Sequence, residues 1–214
     1  MPGKEGKMTS LQMRNDPLFM RNSFKVTGKW DIPIIKNRDI PLDNVRLIAY
    51  SDTRQNDRPE NTACGVHFFI DDYRFTGIYN HPEKSIEKLS QYAFLLTPDY
   101  STYSDMNYWR QLESVAHSHW VGAYWQNIGL KVVPTMTWSD SRSYSFCNDG
   151  VEKGGIVAIG MIGCKHEKNL FLQGYNKMLE TVEPSAIICL GEPFKEMGGN
   201  IIAVDYRASR KVVR

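Results

Sequence analysis

Four aspartates follow apolar segments of strand length, and their carboxylates have the chemistry of a catalytic site. The four are Asp71, Asp72, Asp99 and Asp140. The carboxyl ends of parallel strands meet at one edge of a sheet, so carboxylates there can converge. Converging carboxylates suit Mg²⁺ or Mn²⁺ and can accept a proton from a substrate or from water. The sequence therefore predicts all four as catalytic residues, with Asp71, Asp99 and Asp140 as metal ligands.

Each aspartate also has a structural alternative, because Asp is among the commonest residues in turns and at helix N-caps. Successive strand side chains point to opposite faces, so Asp71 and Asp72 face one pocket together only if the strand has ended before them. In the alternative, one of this pair caps a turn and the other binds Arg74. The sequence leaves both interpretations open.

Eight further residues near the same strand ends are candidates for ligand binding. They are Ser101, Trp138, Ser139, Ser143, Gly160, Gly163, Lys165 and Glu192. Gly160 and Gly163 would let backbone N–H groups approach a phosphate at the start of the next helix, although the spacing is neither a Walker loop nor GxGxxG. A tight turn is the alternative. Trp138 would stack on a base or sugar, or else lie half-buried at the rim.

The histidines and cysteines give weaker signals. His117 and His119 are two residues apart and point in different directions on a helix, so they do not form a metal pair. Cys164 with His166 nearby is a candidate nucleophile, and a buried inert thiol is the alternative. His67 lies inside an apolar run, which favours a core role.

The elements that would position these residues alternate regularly. Strand patterns cover 45–50, 66–70, 93–97, 131–135, 156–159, 186–190 and 201–204. Helical patterns cover about 82–91, 106–127 and 167–182, with short helices near 141–147 and 194–197. Strands that alternate with helix-length segments predict an α/β fold with a mostly parallel sheet of about six or seven strands and covering helices.

Two arrangements of such a sheet remain open. In an open doubly wound sheet only the strand ends beside the switch point line a crevice, whereas in a barrel all of them face one mouth. Polar or Gly residues follow nearly every strand here. This pattern favours an incomplete TIM-like barrel.

Composition sets the class of protein. The chain has 214 residues, a net charge of +2 and four widely separated cysteines. It therefore resembles one globular unit, without a disulfide framework, a membrane-spanning segment or the basic excess of a nucleic-acid-binding protein. The polar first residues do not resemble a secretory signal, so we expect a cytoplasmic location. The sequence does not determine the oligomeric state.

The chain divides into three parts. Residues 1–28 form an N-terminal arm with scattered apolar side chains, which we expect to pack on the body or in an oligomer contact. Residues 29–206 form a single α/β domain. Residues 207–214 form a basic C-terminal tail, expected to be solvated because charged termini are commonly poorly ordered.

An ordered set of short segments resembles the family catalogued as domain of unknown function 4417, found in bacteria, phages and mobile elements. The segments are WDIP at 30–33, VHFFIDDYRF at 66–75, TPDYS at 97–101, WSD at 138–140, SYSFC at 143–147, and AIG at 158–160 followed by Gly163-Cys164. The resemblance spans roughly residues 29–205. It implies a shared fold and a phage or mobile-element setting, and it implies no reaction, cofactor or catalytic residue.

The function predicted from the sequence is a small enzyme that acts on a phosphorylated or nucleotide-like ligand at the strand ends, with Mg²⁺ or Mn²⁺ as the candidate cofactor. The alternative is a non-catalytic protein of a phage or mobile element that binds a ligand or a host protein. Nucleic acid and membrane are not expected partners.

Overall fold

A computed structural model describes residues 8–213 of the chain, and its regular elements alternate as an α/β protein. The strands are β1 Val26–Thr27, β2 Ile32–Pro33, β3 Leu47–Ala49, β4 Gly65–His67, β5 Phe94–Leu96, β6 Val132–Val133, β7 Ile156–Gly160, β8 Ala186–Leu190 and β9 Ile201–Val204. The α-helices are α1 Ser10–Arg14, α2 Pro17–Met20, α3 Pro59–Thr62, α4 Gly77–Asn80, α5 Ile86–Leu89, α6 Tyr108–Asn127, α7 Lys168–Val182 and α8 Tyr206–Ser209. Single 3₁₀ turns cover Tyr50–Asp52, Asp72–Arg74, Pro82–Ser85 and Ser143–Ser145.

Seven strands are parallel and stand in the order in which the chain makes them. One sheet has the order β3-β4-β5-β6 and the other the order β7-β8-β9. An isolated parallel bridge between Thr135 and Ala158 joins the two sheets just beyond β6. Within residues 8–213, strand pairing stops at β3 on one side and β9 on the other. The structure therefore has two small parallel sheets side by side and does not show a closed barrel.

The two faces of the strands pack differently. One face contributes to a central cluster, which comprises Ile40, Leu47, Phe69, Phe94, Leu96, Val133, Ile156, Ala158, Ala186, Ile188, Leu190 and Val204. On the other face, α6 buries Trp120, Val121 and Trp125 against β4 to β6. Helix α7 buries Tyr175 and Met178 against β7 and β8. The strands thus pack against helices on one side and contribute to the central cluster on the other.

The two long helices, α6 and α7, begin and end close to the residues that the sequence predicted. Helix α7 buries Tyr175, Met178 and Val182, the spacing of one helical face. It ends where Glu183 adopts a left-handed conformation, at φ 50°. Helix α6 ends just before Gly129, whose φ of 92° favours glycine. None of the helices within residues 8–213 is long and apolar enough to cross a membrane.

Two short helices expected from the sequence are weaker than predicted. The segment near 141–147 forms only the 3₁₀ turn, and the segment near 194–197 forms a turn without a helix. The predicted helix at 82–91 is divided into a 3₁₀ turn and α5. These segments are too short to hold a helix without a strongly packed apolar face.

The N-terminal arm packs only in part. Residues 1–7 lie outside the described residues. Leu18 and Phe24 pack against the cluster that contains Trp120 and Trp125 of α6. The Arg21 guanidinium lies 4.1 Å from the Tyr79 ring centroid and 4.0 Å from that of Trp120. Leu11 and Phe19, by contrast, are 70% and 71% exposed. These two side chains do not pack on the body, so burial in an oligomer contact stays the prediction for them.

The C-terminal residues 207–213 contact the body at a few points, although most of their side chains, including the basic ones, are exposed as expected; Arg214 lies outside the described residues. Ser209 is 2% exposed, and its Oγ lies 3.2 Å from His67 Nε2 in β4. Asn61 donates to the carbonyl of Val213 and accepts from its N–H at 3.0 and 3.1 Å. The segment packs because its polar atoms meet buried partners in β4 and α3.

Candidate functional site: a cleft at the strand ends

A cleft of about 880 Å³ opens at the carboxyl ends of the parallel strands. The residues after β4, β5, β6 and β7 line it, and residues of α8 form part of its wall. Its volume lies in the range of about 300 to 1,000 Å³ usual for small-molecule sites. The sequence thus located the edge of the sheet at which a ligand could bind.

The strand β4 ends early, and this early end allows both Asp71 and Asp72 to line the cleft. The ladder stops after His67 because its Nδ1 accepts the Phe69 N–H at 3.2 Å. The Ile70 N–H then bonds the Phe68 carbonyl at 2.7 Å, which turns the chain. The Oδ2 atom of Asp71 lies 3.6 Å from Nε of Arg74, which is the ion pair that the structural alternative predicted.

Asp72 ties the end of β4 to the end of β5. Its carboxylate accepts the Ser101 N–H at 3.0 Å and the Ser101 hydroxyl at 2.8 Å. The Ser101 carbonyl in turn accepts the Ser114 hydroxyl of α6 at 2.8 Å. Asp72 is therefore held in one position as an acceptor, at a point where two strand ends meet.

Asp99 also lines the cleft, and Asp72 is its charged neighbour. Asp99 is half-buried, and no hydrogen bond joins its carboxyl group to any other side chain or backbone group of residues 8–213. Burial, with a further contribution from the nearby Asp72, raises the pKa of Asp99 to about 7. The carboxyl group therefore exists in both protonation states near neutral pH.

The end of β6 supplies an aromatic wall. The ring centroids of Trp138 and Phe171 are 5.1 Å apart. A Cβ at Gly174 of α7 would lie 2.1 Å from Trp138 Cδ1, so only glycine lets the indole pack this closely on the helix. Ser139 also lines the cleft, but it is buried and its hydroxyl donates to Gln111.

The glycine turn after β7 lines the cleft but does not form a helix-start anion site. A Cβ at Gly160 would lie 2.5 Å from the Phe69 ring, so this glycine serves packing. Gly163 adopts a φ of 79° in a tight turn. The helix begins only at Lys168, and the residue before it is the acidic Glu167, which opposes an anion there. Burial, with a smaller effect of Asp99, raises the pKa of the Cys164 thiol to about 11, which disfavours a thiolate nucleophile.

Four candidate residues lie outside the cleft lining. Asp140 binds the Arg142 guanidinium at 2.7 Å and accepts the Arg142 N–H at 2.9 Å. These hydrogen bonds lower the pKa of Asp140. Ser143 is buried and donates to the Asp140 carbonyl at 2.7 Å. Lys165 and Glu192 border a separate depression of about 290 Å³.

Among the lining residues that sequence reasoning missed are two at the C-terminal end of the chain, one at the last position of the predicted domain and one in the predicted tail. Tyr206 and Arg210 reach the cleft from α8, which the buried Ser209 holds against His67. One local signal was present: Asp205 caps α8 by accepting the Arg207 N–H at 2.7 Å. The contact with His67, 142 residues away, has no local signal.

The lining of the cleft is acidic. Its charged residues are Asp71, Asp72, Asp99, Asp105, Glu167, Arg74 and Arg210. Both arginines contact carboxylates, Arg74 with Asp71 at 3.6 Å and Arg210 with Asp52 at 3.1 Å. Residues 8–213 contain no group of three or more His, Cys, Asp or Glu side chains placed to hold a metal ion. Asp71, Asp99 and Asp140 are thus not brought together as the expected ligand set.

The model of one protein family matches residues 24–207, and its description is "Domain of unknown function (DUF4417)". The chain belongs to this family. It is similar to the Gene 1 protein of Mycobacterium phage L5, with 33% identity over 181 residues, 83% of this chain and 78% of that protein. It is also similar to the Gene 1 protein of Mycobacterium phage D29, with 31% identity over 179 residues, 82% of this chain and 66% of that protein. No solved structure matches the chain.

These relatives agree with the phage or mobile-element setting that the sequence motifs implied. The family match begins inside the N-terminal arm and ends within α8. It therefore includes every residue that lines the cleft except Arg210.

Proposed function

We propose that the protein is an enzyme that binds a small ring-bearing ligand, of nucleoside or sugar type, in the cleft and uses Asp99 as a general acid–base group. The observation that carries the proposal is the placement of Asp99. Its carboxyl group faces a cleft of ligand size, is half-buried and lacks a hydrogen bond to the rest of residues 8–213. Unlike Asp72 and Asp140, it is therefore not held by a hydrogen bond or an ion pair of these residues.

The protonation behaviour of Asp99 suits this role. General acid–base catalysis works best when the pKa of the group lies near the working pH. A pKa of about 7 lets Asp99 accept a proton in one step and return it in the next. Asp72, fixed by Ser101, is the neighbouring carboxylate that helps to raise this pKa.

The walls of the cleft suit a ring with hydroxyl groups. Trp138 and Phe171 offer aromatic faces, and Ser101, Thr102 and Thr137 offer hydroxyl groups. The hydroxyls of Thr102 and Thr137 lie 2.9 Å apart and join the ends of β5 and β6. Aromatic faces beside hydroxyl and carboxyl groups can hold both the flat face and the polar edge of a nucleoside or sugar.

We further propose that the seven strands curve into an incomplete TIM-like barrel with the cleft at its mouth. Two observations support this arrangement: the order of the strands along the chain, and the single cluster to which six of the seven strands contribute, together with Phe69 just after β4. Active sites of such barrels lie at the carboxyl ends of the strands. The position of the cleft agrees with that rule.

The phosphorylated ligand expected from the sequence suits the cleft less well than an uncharged ring. Five carboxylates line the cleft, and both of its arginines already contact a carboxylate. A phosphate would need additional positive charge, and the carboxylates are not grouped to hold Mg²⁺ or Mn²⁺ within residues 8–213. The proposal therefore keeps the ring of a nucleotide-like ligand and omits the phosphate.

The experiment compares wild type, Asp99→Asn and the control Asp43→Asn, which removes the same charge from an exposed residue outside the cleft. Each protein is incubated with panels of nucleosides and sugars, with and without Mg²⁺ or Mn²⁺, and products are followed by mass spectrometry. We expect turnover by wild type that falls about 100-fold or more in Asp99→Asn and only slightly in the control. Equal turnover in Asp99→Asn would overturn the proposal. Binding without any turnover would favour the non-catalytic alternative.

A further inference from the structure

The charged groups that line the cleft carry a net negative charge. Acidic side chains outnumber basic ones in the lining, and the lining contains neither lysine nor histidine among the described residues. Asp105 and Glu167 are exposed, and like Asp99 they have no ion pair or side-chain hydrogen bond within residues 8–213. With Asp72, whose hydrogen-bond partner Ser101 is uncharged, four carboxyl groups of the cleft lack a positive partner within residues 8–213.

The two arginines do not offset this excess. Arg74 lies 3.6 Å from Asp71 and Arg210 lies 3.1 Å from Asp52, a carboxylate outside the lining. A concave surface of one sign concentrates its field and raises the local concentration of ions of the opposite sign. The cleft should attract cations.

Aromatic rings complement these carboxylates. Tyr103 and Tyr206 line the rim, 64% and 38% exposed, while Trp138 and Phe171 form the inner wall. The faces of aromatic rings attract organic cations. Carboxylates alone would bind metal ions as well as organic cations. The described carboxylates are not grouped to hold a metal ion, so an organic cation fits these walls better.

We propose that the ligand of the cleft carries an ammonium or guanidinium group, which the carboxylates of Asp105 and Glu167 bind while its ring contacts the aromatic wall. This inference rests on the proposed function and specifies the substrate class of the same site. The Asp105 and Glu167 side chains would select the cation, and Asp99 would remain the proton-transfer group. Ligands with a phosphate in the same place would be repelled.

The test uses three ligands that share one nucleoside and differ in charge. They are 5′-amino-5′-deoxyadenosine, adenosine and AMP, with spermidine as a cation that lacks a ring. Affinities are measured by calorimetry on the full chain at pH 7.5 and 150 mM NaCl, where screening suppresses attraction between distant charges. We expect the amino nucleoside to bind about tenfold more tightly than adenosine, and AMP to bind more weakly than adenosine.

Variants identify the groups responsible. Asp105→Asn and Glu167→Gln should each shrink the affinity ratio of amino nucleoside to adenosine. The control Asp43→Asn removes the same charge from an exposed residue outside the cleft and should leave the ratio unchanged. A ratio near one in wild type, tighter binding of AMP, or an equal loss in Asp43→Asn would overturn the inference.

The result separates this inference from the proposed function. Suppose that neutral nucleosides are turned over through Asp99 and the affinity ratio is near one. The inference of a cationic ligand is then wrong, and the proposed enzyme function is supported. Suppose instead that none of the adenosine compounds binds, but that spermidine binds and its affinity falls in Glu167→Gln. The inference of a cationic ligand is then supported, and the proposed nucleoside ring is wrong. If spermidine also fails to bind, the inference is overturned.

Discussion

The ends of β5 and β6 look alike in sequence and differ in the fold. Each strand is followed by an aspartate with serines nearby, Asp99 and Asp140. Asp99 lies half-buried in the cleft without a hydrogen-bond partner among residues 8–213, and its pKa is raised. Asp140 binds Arg142 outside the cleft lining, and its pKa is lowered. Arg142, two residues after Asp140, pairs with that carboxylate, whereas no basic side chain pairs with Asp99 within residues 8–213.

The largest expected effect is the pH dependence of stability contributed by Asp99. Its folded pKa of about 7 lies above the unfolded value near 3.8, so between these values the folded protein binds more protons. The free energy of unfolding should therefore fall as pH rises from about 4 to 7, by up to about 1.4 kcal/mol per pH unit from this group. Asp99→Asn should remove that contribution, as measured by urea denaturation at several pH values.

The control for this prediction is Asp105→Asn. Contributions of the buried histidines have the opposite sign, because burial lowers the pKa of His67 to about 3 and of His119 to about 4. They cancel in the difference between wild type and variant. A difference curve for Asp99→Asn that is flat with pH would show that the carboxyl group is ordinary, and the contrast with Asp140 would disappear.

A smaller effect is expected from Gly174→Ala, which tests the aromatic wall that the end of β6 supplies. The added Cβ would lie 2.1 Å from Trp138 Cδ1, so the indole must move. We expect a loss of about 1 to 3 kcal/mol in the free energy of unfolding and a changed tryptophan fluorescence. Gly77→Ala is the matched control, since nothing lies within 4 Å of a Cβ there, and it should stabilise by about 0.4 to 1 kcal/mol. Equal changes in both variants would contradict the packing argument.

The smallest effect concerns Arg142→Gln. Losing the guanidinium should raise the pKa of Asp140 towards its ordinary value, because the hydrogen bonds from Arg142 are the main cause of its lowering. The stability that Asp140 contributes above pH 4 and loses at lower pH should then vanish. The melting temperature should change little, since ion pairs between exposed side chains contribute little. Carboxyl NMR titration measures the shift, and a simultaneous change at Asp99 would mean that the two sites are coupled.

Sequence reasoning predicted the order of strands and helices because their apolar periodicity is local. It placed β8 at Ala186–Leu190 and α7 within one residue of its observed start. It extended β4 to Ile70, since apolar content gives no warning that the His67 ring will take the Phe69 N–H. The spacing of apolar residues indicates which side chains are buried. It does not indicate which backbone N–H and C=O groups can form hydrogen bonds with a neighbouring strand.

The site was predictable to the same extent. The edge of the sheet followed from the polar residues after each strand, and Asp71, Asp72, Asp99, Ser101, Trp138, Ser139, Gly160 and Gly163 do line the cleft. The pairing of Asp140 with Arg142 is local and was available from the sequence. The wall formed by α8 was not, because it depends on Ser209 meeting His67 across 142 residues.

The C-terminal segment joins the far end of the strand series to its beginning. Ser209 follows β9 and contacts His67 of β4, and Asn61 of α3 binds the backbone of Val213. Native proteins open locally at a lower free energy where few buried contacts hold a segment. Local release of these contacts would remove Tyr206 and Arg210 from the wall of the cleft and leave every strand pair intact. Access to the cleft can therefore change without unfolding of the sheets.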